Sequence, residues 1–169
     1  MPSRQRGFTL IEVLVSGLIL AIGLVGVAGL QAFSLKNNQS AFMRSQATAL
    51  AYDLADRMRS NVPGANGGFY APANAALTIG CKTVSGCSPA QLAEHDLAEW
   101  NTTVATFLPM GTGFVCIDST PDDGTGVGDA QCDGAGTQFA IKIWWDDDRD
   151  GAINLTAENM ERFTVSLQL

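Results

Sequence analysis

Apolar side chains run almost unbroken from Phe8 to Leu30. Two arginines, Arg4 and Arg6, precede the run, one carboxylate, Glu12, lies inside it, and the first lysine after it is Lys36. A helix needs about 20 mainly apolar residues to cross a bilayer core. The run therefore predicts a transmembrane helix with its positive flank on the cytoplasmic side. Beyond Gln31 the pattern turns from uniform to periodic. Met43, Ala47, Leu50, Leu54 and Met58 recur at helical spacing and form one apolar stripe, with Arg44, Asp53, Asp56, Arg57 and Arg59 mainly off it. No proline falls between Gln31 and Arg59, and Asn61-Val62-Pro63-Gly64 predicts the stop. One continuous helix from Phe8 to Arg59 would be about 78 Å long. Its first half would sit in lipid, and its second half would pack on a globular head.

The remaining pattern predicts that head. Asn61 to Cys87 is rich in Gly, Ala, Asn and Pro and reads as a loop, with an extended piece at Ala76 to Ile79. Ser88-Pro89-Ala90-Gln91 supplies a capping serine, a proline at the first helical position and a glutamine at the third. Ala93, Leu97, Trp100, Val104 and Phe107 then mark one helix face, and Pro109 and Gly111 close it. His95 falls off that face and reads as a surface polar residue. Phe114 to Asp118 is a short strand. Phe139, Ile141, Ile143 and Trp145 alternate with Ala140, Lys142 and Trp144, the period of a half-buried strand. Phe163, Val165, Leu167 and Leu169 repeat that period at the C-terminus. The fold class is α+β, with the face carrying Phe139, Ile141 and Ile143 laid over the stripe of the long helix. Two acidic loops, Ser119 to Gly136 and Asp146 to Asn159, separate the strands, and the first, with Asp122, Asp123, Asp129 and Asp133, reads as flexible.

Length, charge and cysteines narrow the chemistry. The chain has 169 residues, enough for one membrane-anchored domain. Its formal charge is −7, and no basic cluster follows Arg6, so nucleic acid is not an expected partner. The four cysteines, Cys81, Cys87, Cys116 and Cys132, are an even set in a chain whose bulk is exported, which suggests two disulfides. Three connectivities are open; closing local loops favours Cys81–Cys87 with Cys116–Cys132. There is no CxxC, nucleophile elbow or phosphate loop, and the lone histidine lies apart from the acidic clusters, so no enzymatic activity is expected. One segment has metal-binding spacing. Asp146-Asp147-Asp148-Arg149-Asp150-Gly151 places carboxylates at alternate positions before a glycine, as an EF-hand loop begins. The closing glutamate belongs at Ala157, and Glu158 is one residue late. Asp146, Asp148 and Asp150 are thus calcium candidates in what otherwise reads as a solvated hairpin, and no metal or other cofactor is assigned.

The N-terminal run is not an ordinary secretory signal, whose cleavage site follows a shorter apolar core. Here the small residue, Gly7, precedes the run. Arg6-Gly7-Phe8-Thr9-Leu10-Ile11-Glu12 resembles the class III signal of type IV prepilins. The resemblance implies cleavage between Gly7 and Phe8 by a membrane-embedded prepilin peptidase, and N-methylation of Phe8. Cleavage would remove Arg4 and Arg6 and lower the formal charge from −7 to −9. Glu12 is the residue that a plain anchor has no reason to carry, because a carboxylate at the centre of a spanning helix costs about 3 kcal/mol. Its expected partner is the amine freed at Phe8, in the same or a neighbouring subunit. The alternative is a simple complement to the helix dipole. Gly17, Gly23, Gly26 and Gly29 either permit close helix approach or let the helix extend locally; the proline that major pilins carry in this region is missing here.

The head adds a narrower resemblance. Cys87-Ser88-Pro89-Ala90-Gln91-Leu92-Ala93, Asp96-Leu97-Ala98-Glu99-Trp100, Leu108-Pro109, Val115-Cys116 and Trp144-Trp145-Asp146 resemble the minor pilins of the PilV type, the type IV pilus modification proteins. The resemblance implies a type IV pilin fold, a long N-terminal helix packed on an antiparallel sheet. It divides the chain into a leader at 1–7, a transmembrane or filament-core half-helix at 8–35, and a periplasmic or extracellular head at 36–169. It further implies a single-pass inner-membrane precursor that later joins a surface pilus. The partners would be other minor and major pilins, the prepilin peptidase, the inner-membrane assembly platform and the membrane itself. The role would be priming or tip assembly, with twitching motility and adhesion. A type II secretion pseudopilin and a surface-binding tip adhesin are the competing expectations.

Overall fold

Thr9 starts the first helix. Its carbonyl accepts the Glu12 N–H at 3.1 Å and its hydroxyl accepts the same group at 3.4 Å, so donors left over at a helix start are satisfied. In this computed structural model, α1 then runs as one unbroken α-helix from Leu10 to Ser60. It begins two residues later than the apolar run predicts. The structure describes residues 7–71, 75–153, 155–156 and 159–169, with the backbone alone at 155–156 and 159–160. Arg4, Arg6, Ala157 and Glu158 lie outside the described residues. Contacts divide the chain into two units, Met1–Ala41 and Phe42–Leu169.

In the second unit, Met43, Ala47, Leu50, Leu54 and Met58 are all buried, as the stripe predicts, and Ala51 and Ala55 widen it. Small residues beside the stripe let other elements approach α1 closely. The helix ends at Ser60, but Asn61 to Cys87 is not the plain loop expected. Asn61 caps a second short helix, α2 (Val62–Asn66), by accepting the Gly64 N–H, while its amide donates to the Pro89 carbonyl at 2.8 Å. Pro63 fits because it enters the first turn, where a backbone donor is not needed. Of the piece expected to be extended, Ala76 to Ile79, Thr78 is extended, whereas Ile79 opens a 3₁₀ turn, Ile79–Lys82.

Helix α3 (Pro89–Phe107) opens on a full capping box between Ser88 and Gln91. It buries Ala93, Leu97, Trp100 and Val104, whereas Phe107, expected on that face, is 59% exposed. Leu108, one residue on, takes the inward place at the helix end. Strands β1 (Thr112–Ile117), β2 (Phe139–Trp144) and β5 (Arg162–Leu167) form an antiparallel sheet in the order β1-β2-β5. The register pairs Val115 with Ile141 and Ile141 with Val165. Ile141, Ile143 and Val115 join the α1 stripe and the α3 face in one core, with Phe139, Phe163 and Val165 at its margin. A two-residue ladder, β3 (Leu155–Thr156) with β4 (Asn159–Met160), lies within the second acidic loop.

The largest departure concerns β2. Alternation predicts a half-buried strand, yet Ala140, Lys142 and Trp144 are as fully buried as Ile141 and Ile143. The cover is the first acidic loop, which is pinned rather than flexible. Asp133 accepts from the Ser119 backbone and hydroxyl, Thr125 donates to Asp129, and Cys132 is bonded to Cys116. Arg162 of β5 reaches the Gly124 carbonyl at 2.7 Å and Asp122 at 2.9 Å. Asp122 and Asp123 are thus loop anchors, drawn to two cations on the back of the sheet, Arg162 and Lys142, while Asp129 and Asp133 brace the loop from within. The hydrogen bonds of Ser119 and of the Ala135 N–H hold the Asp133 carboxyl below the ordinary carboxylate range.

Candidate functional site

The N-terminal segment combines a reactive-looking start with an uncovered apolar surface. Phe8 is 83% exposed, and Leu10, Ile11, Leu14, Leu18 and Ile22 are each 60% exposed or more. Among the described residues, α1 is the helix long and apolar enough to cross a membrane. Glu12 stands in its first turn, one turn from Phe8, as the spacing requires. Gly17, Gly23, Gly26 and Gly29 do not break the helix, and among the described residues nothing but the neighbouring turns of the helix itself lies within 4 Å of a Cβ built at any of them. Packing inside the chain therefore gives these glycines no role. A surface of this size left to water would cost tens of kcal/mol at about 25 cal/mol per Å², so the segment belongs in lipid or against other helices.

The head is tied by both expected disulfides, Cys81–Cys87 and Cys116–Cys132. The first closes a hoop over residues 81–87, and the segment just before it docks on α3 through two backbone donors. Ala76 N–H reaches the Glu94 carbonyl and Thr78 N–H reaches His95 Nδ1, both at 3.0 Å. This docking overturns the surface reading of His95, which is only 5% exposed. Its Nδ1 is an acceptor, so the ring's proton sits on Nε2, 3.7 Å from Glu99 Oε1. His95 is a structural peg under this segment rather than a candidate catalyst.

Glu99 lies in an ion cluster, with Lys82 of the hoop and with Arg57 of α1 at 3.3 Å; Arg57 also reaches Asp53 and Asp96. Tyr70 completes it by donating to Asp96 at 2.8 Å. Burial, with Asp96 adding to it, raises the Tyr70 phenol. The Lys82 ammonium holds the Glu99 carboxyl below the ordinary range, with Arg57 adding to it against burial. A depressed folded-state value stabilises above the unfolded value and is lost as pH falls through the folded one. Unfolding midpoints measured against pH should therefore fall below the ordinary carboxylate range, and fall less in Glu99→Gln. Equal slopes in the two proteins would remove Glu99 from that account.

The second acidic loop places Asp146, Asp148 and Asp150 with one oxygen each inside a 4.8 Å cluster. Asp146 is 3% exposed, and its two oxygens accept the Arg149 N–H at 2.7 Å and the Gly151 N–H at 2.9 Å. Gly151 has φ +88°, a turn conformation that glycine adopts without strain. The position that would close a calcium loop lies outside the described residues. Asp148 and Asp150 also organise the turn, accepting the Asp150 N–H at 3.3 Å and the Ala152 N–H at 2.8 Å. Calorimetric titration with calcium to about 1 mM should thus give no saturable heat; a saturable signal would assign these three carboxylates to an ion.

An apolar groove of about 450 Å³ runs beside β1, walled by Ala65, Tyr70, Phe114, Val115, Ile117 and Phe139 among others, with no carboxylate, amine or imidazole on it. Sequence reasoning missed two buried charges, Lys142 and Asp118, both 0% exposed. The available signal was Trp144, which shares the Lys142 side of β2 and whose exposure would have been costly.

Two family models match the chain. Residues 2–28 match the prokaryotic N-terminal methylation motif, and residues 29–98 match the type IV pilin Tt1218 model. The two stretches abut, and together they cover the apolar run, the striped half of α1, the hoop and the start of α3. No curated protein and no solved structure matches the chain.

Proposed function

We propose that the chain is a member of the type IV pilin superfamily, as both family matches support, and within it a minor pilin, a priming or tip subunit of a type IV pilus. The observation that carries this reading is the junction of the leader motif to one unbroken helix, whose first part is uncovered and whose last part is built into a disulfide-tied head. Prepilin peptidase cuts between Gly7 and Phe8, and the new amine at Phe8 is methylated. The helix holds the precursor in the inner membrane until the assembly platform passes it to other minor and major pilins. Glu12 pairs with an amine as the helix leaves lipid.

The PilV-type head motifs favour the minor class. The acidic head, with its apolar groove beside β1, is the part that would meet a neighbour or a surface. Motility and adhesion follow from a place at or near the tip. Mass spectrometry of sheared pili tests the proposal. The chain should be present in small amount, begin at N-methylated Phe8, and carry two disulfides. A chain beginning at Met1, or absent from pili, overturns it. In a deletion strain, lost piliation supports the assembly role. Normal pili with lost attachment would favour the adhesin, and blocked exoprotein secretion the pseudopilin.

A further inference from the structure

Behind the sheet, an amine and a carboxyl are withdrawn from water together. Lys142 of β2 and Asp118, at the end of β1, are both 0% exposed, and Lys142 Nζ stands 2.6 Å from Asp118 Oδ2. That contact lacks the angles of a hydrogen bond, and Oδ2 has no other partner. The directed bonds of Nζ go elsewhere, to Asp123 Oδ1 at 2.7 Å and the Ala130 carbonyl at 2.8 Å. The other oxygen of Asp118, Oδ1, accepts the Thr120 N–H at 3.0 Å and the Thr120 hydroxyl at 3.4 Å. The same hydroxyl binds Asp123 Oδ2 at 2.8 Å. Nζ therefore touches the unbonded oxygen of a carboxyl whose second oxygen is held, while another carboxylate sits on its far side.

We propose that Lys142 Nζ and Asp118 Cγ join in an intramolecular amide bond. Removing two charges from water is costly. Moving one proton from Nζ to Oδ2 across that contact abolishes both, leaving an amine against a carboxylic acid. The amine attacks Cγ, and the developing negative charge falls on Oδ1, where the Thr120 N–H receives it. Asp123 takes the proton that the attacking nitrogen sheds and returns it to Oδ2. The Cγ–Oδ2 bond breaks and one water departs, so the atoms balance without a redox partner. Asp123 suits the relay because its Oδ1 already lies 2.7 Å from Nζ and because its side chain is 38% exposed, open for the water to leave. Fixed geometry supplies the rate, as it does in other intramolecular acyl transfers. The product ties the middle of β2 to the end of β1 and locks the acidic loop over the sheet, beside the Cys116–Cys132 disulfide.

The test uses the full chain, purified in detergent, reduced and alkylated. Its intact mass should fall short of the processed sequence by one water. Trypsin should fail to cut after Lys142 and should yield fragment 83–149 short by that water. An amine-reactive label applied after denaturation should miss Lys142. Lys142→Arg and Asp118→Ala should restore the full mass, and Asp123→Asn should restore it in most molecules. Full mass in the wild-type chain, or a labelled and cleavable Lys142, overturns the proposal whether or not any variant folds. So does a water loss that leaves Lys142 free, because ring closure at Asp123-Gly124, Asp133-Gly134 or Asp150-Gly151 loses the same mass.

Discussion

Replacing Trp100 with alanine should cost the head about 3–5 kcal/mol, the range for emptying a packed aromatic site. Trp100 is 1% exposed, between α1, α3 and β1, in the one core cluster that the three elements share. Its Nε1 donates to the Leu50 carbonyl at 2.8 Å, a buried bond across 50 residues of sequence. β1 has made room for the ring, since a Cβ at Gly113 would overlap it. That overlap supplies an internal control. Gly113→Ala should be destabilising alone and close to harmless once Trp100 is alanine, so the two changes should couple in a double-mutant cycle. Trp100→Phe should lose only part of the ring and one hydrogen bond of about 1 kcal/mol. Denaturant unfolding of the detergent-solubilised chain, followed by the emission of buried Trp144 and Trp145, reads the wild type and all four variants. A loss below about 1 kcal/mol for Trp100→Ala would show that the core closes over the gap, contrary to the packing account. A domain typically holds only 5–15 kcal/mol in reserve, so the predicted loss should also deplete the protein in the membrane.

The features legible in the sequence are those set by neighbours along the chain. The α1 stripe and the Ser88–Gln91 capping box follow from helical spacing, and the sheet face of Ile141 and Ile143 from strand spacing; all three are found where spacing puts them. The misses all depend on something folding back. Ala140, Lys142 and Trp144 read as a solvent face because nothing local says that residues 119–136 will cover them; the pull comes from Lys142 and Arg162, which meet carboxylates and carbonyls up to 40 residues away. His95 reads as exposed because its cover is the segment leading into the hoop, whose Thr78 N–H docks on it. Phe107 reads as core because it continues a periodic face, but the chain leaves the helix there and Leu108 turns inward instead. The leader differs in kind. Gly7, Phe8 and Glu12 are legible as parts of a linear motif, matched by the N-terminal methylation model over residues 2–28, and tertiary structure cannot rearrange a linear motif.

Replacing Glu12 with alanine should leave membrane insertion intact and reduce the chain's presence in sheared pili by at least tenfold. Insertion depends on the apolar length of the helix, and losing a carboxylate only makes transfer to lipid easier. Incorporation is different. On the proposed reading, cleavage would leave the Phe8 amine one turn from Glu12 with little water to screen it, where opposite charges attract more strongly than at a surface. Deleting the acid leaves that amine unpaired among apolar helices. A loss of about 1.4 kcal/mol already gives a tenfold change, and an unpaired charge in such surroundings costs more than that. Glu12→Gln separates the contributions. If the helix dipole were the only partner of Glu12, both variants should incorporate nearly as well as the wild type, since that effect is at most about 1 kcal/mol at an exposed end. If the amine is the partner, Gln should fail almost as badly as Ala, because it keeps the shape and loses the charge. Quantifying both variants in membrane fractions and in sheared fibres distinguishes the outcomes, and normal fibre levels of the alanine variant would discard the pairing.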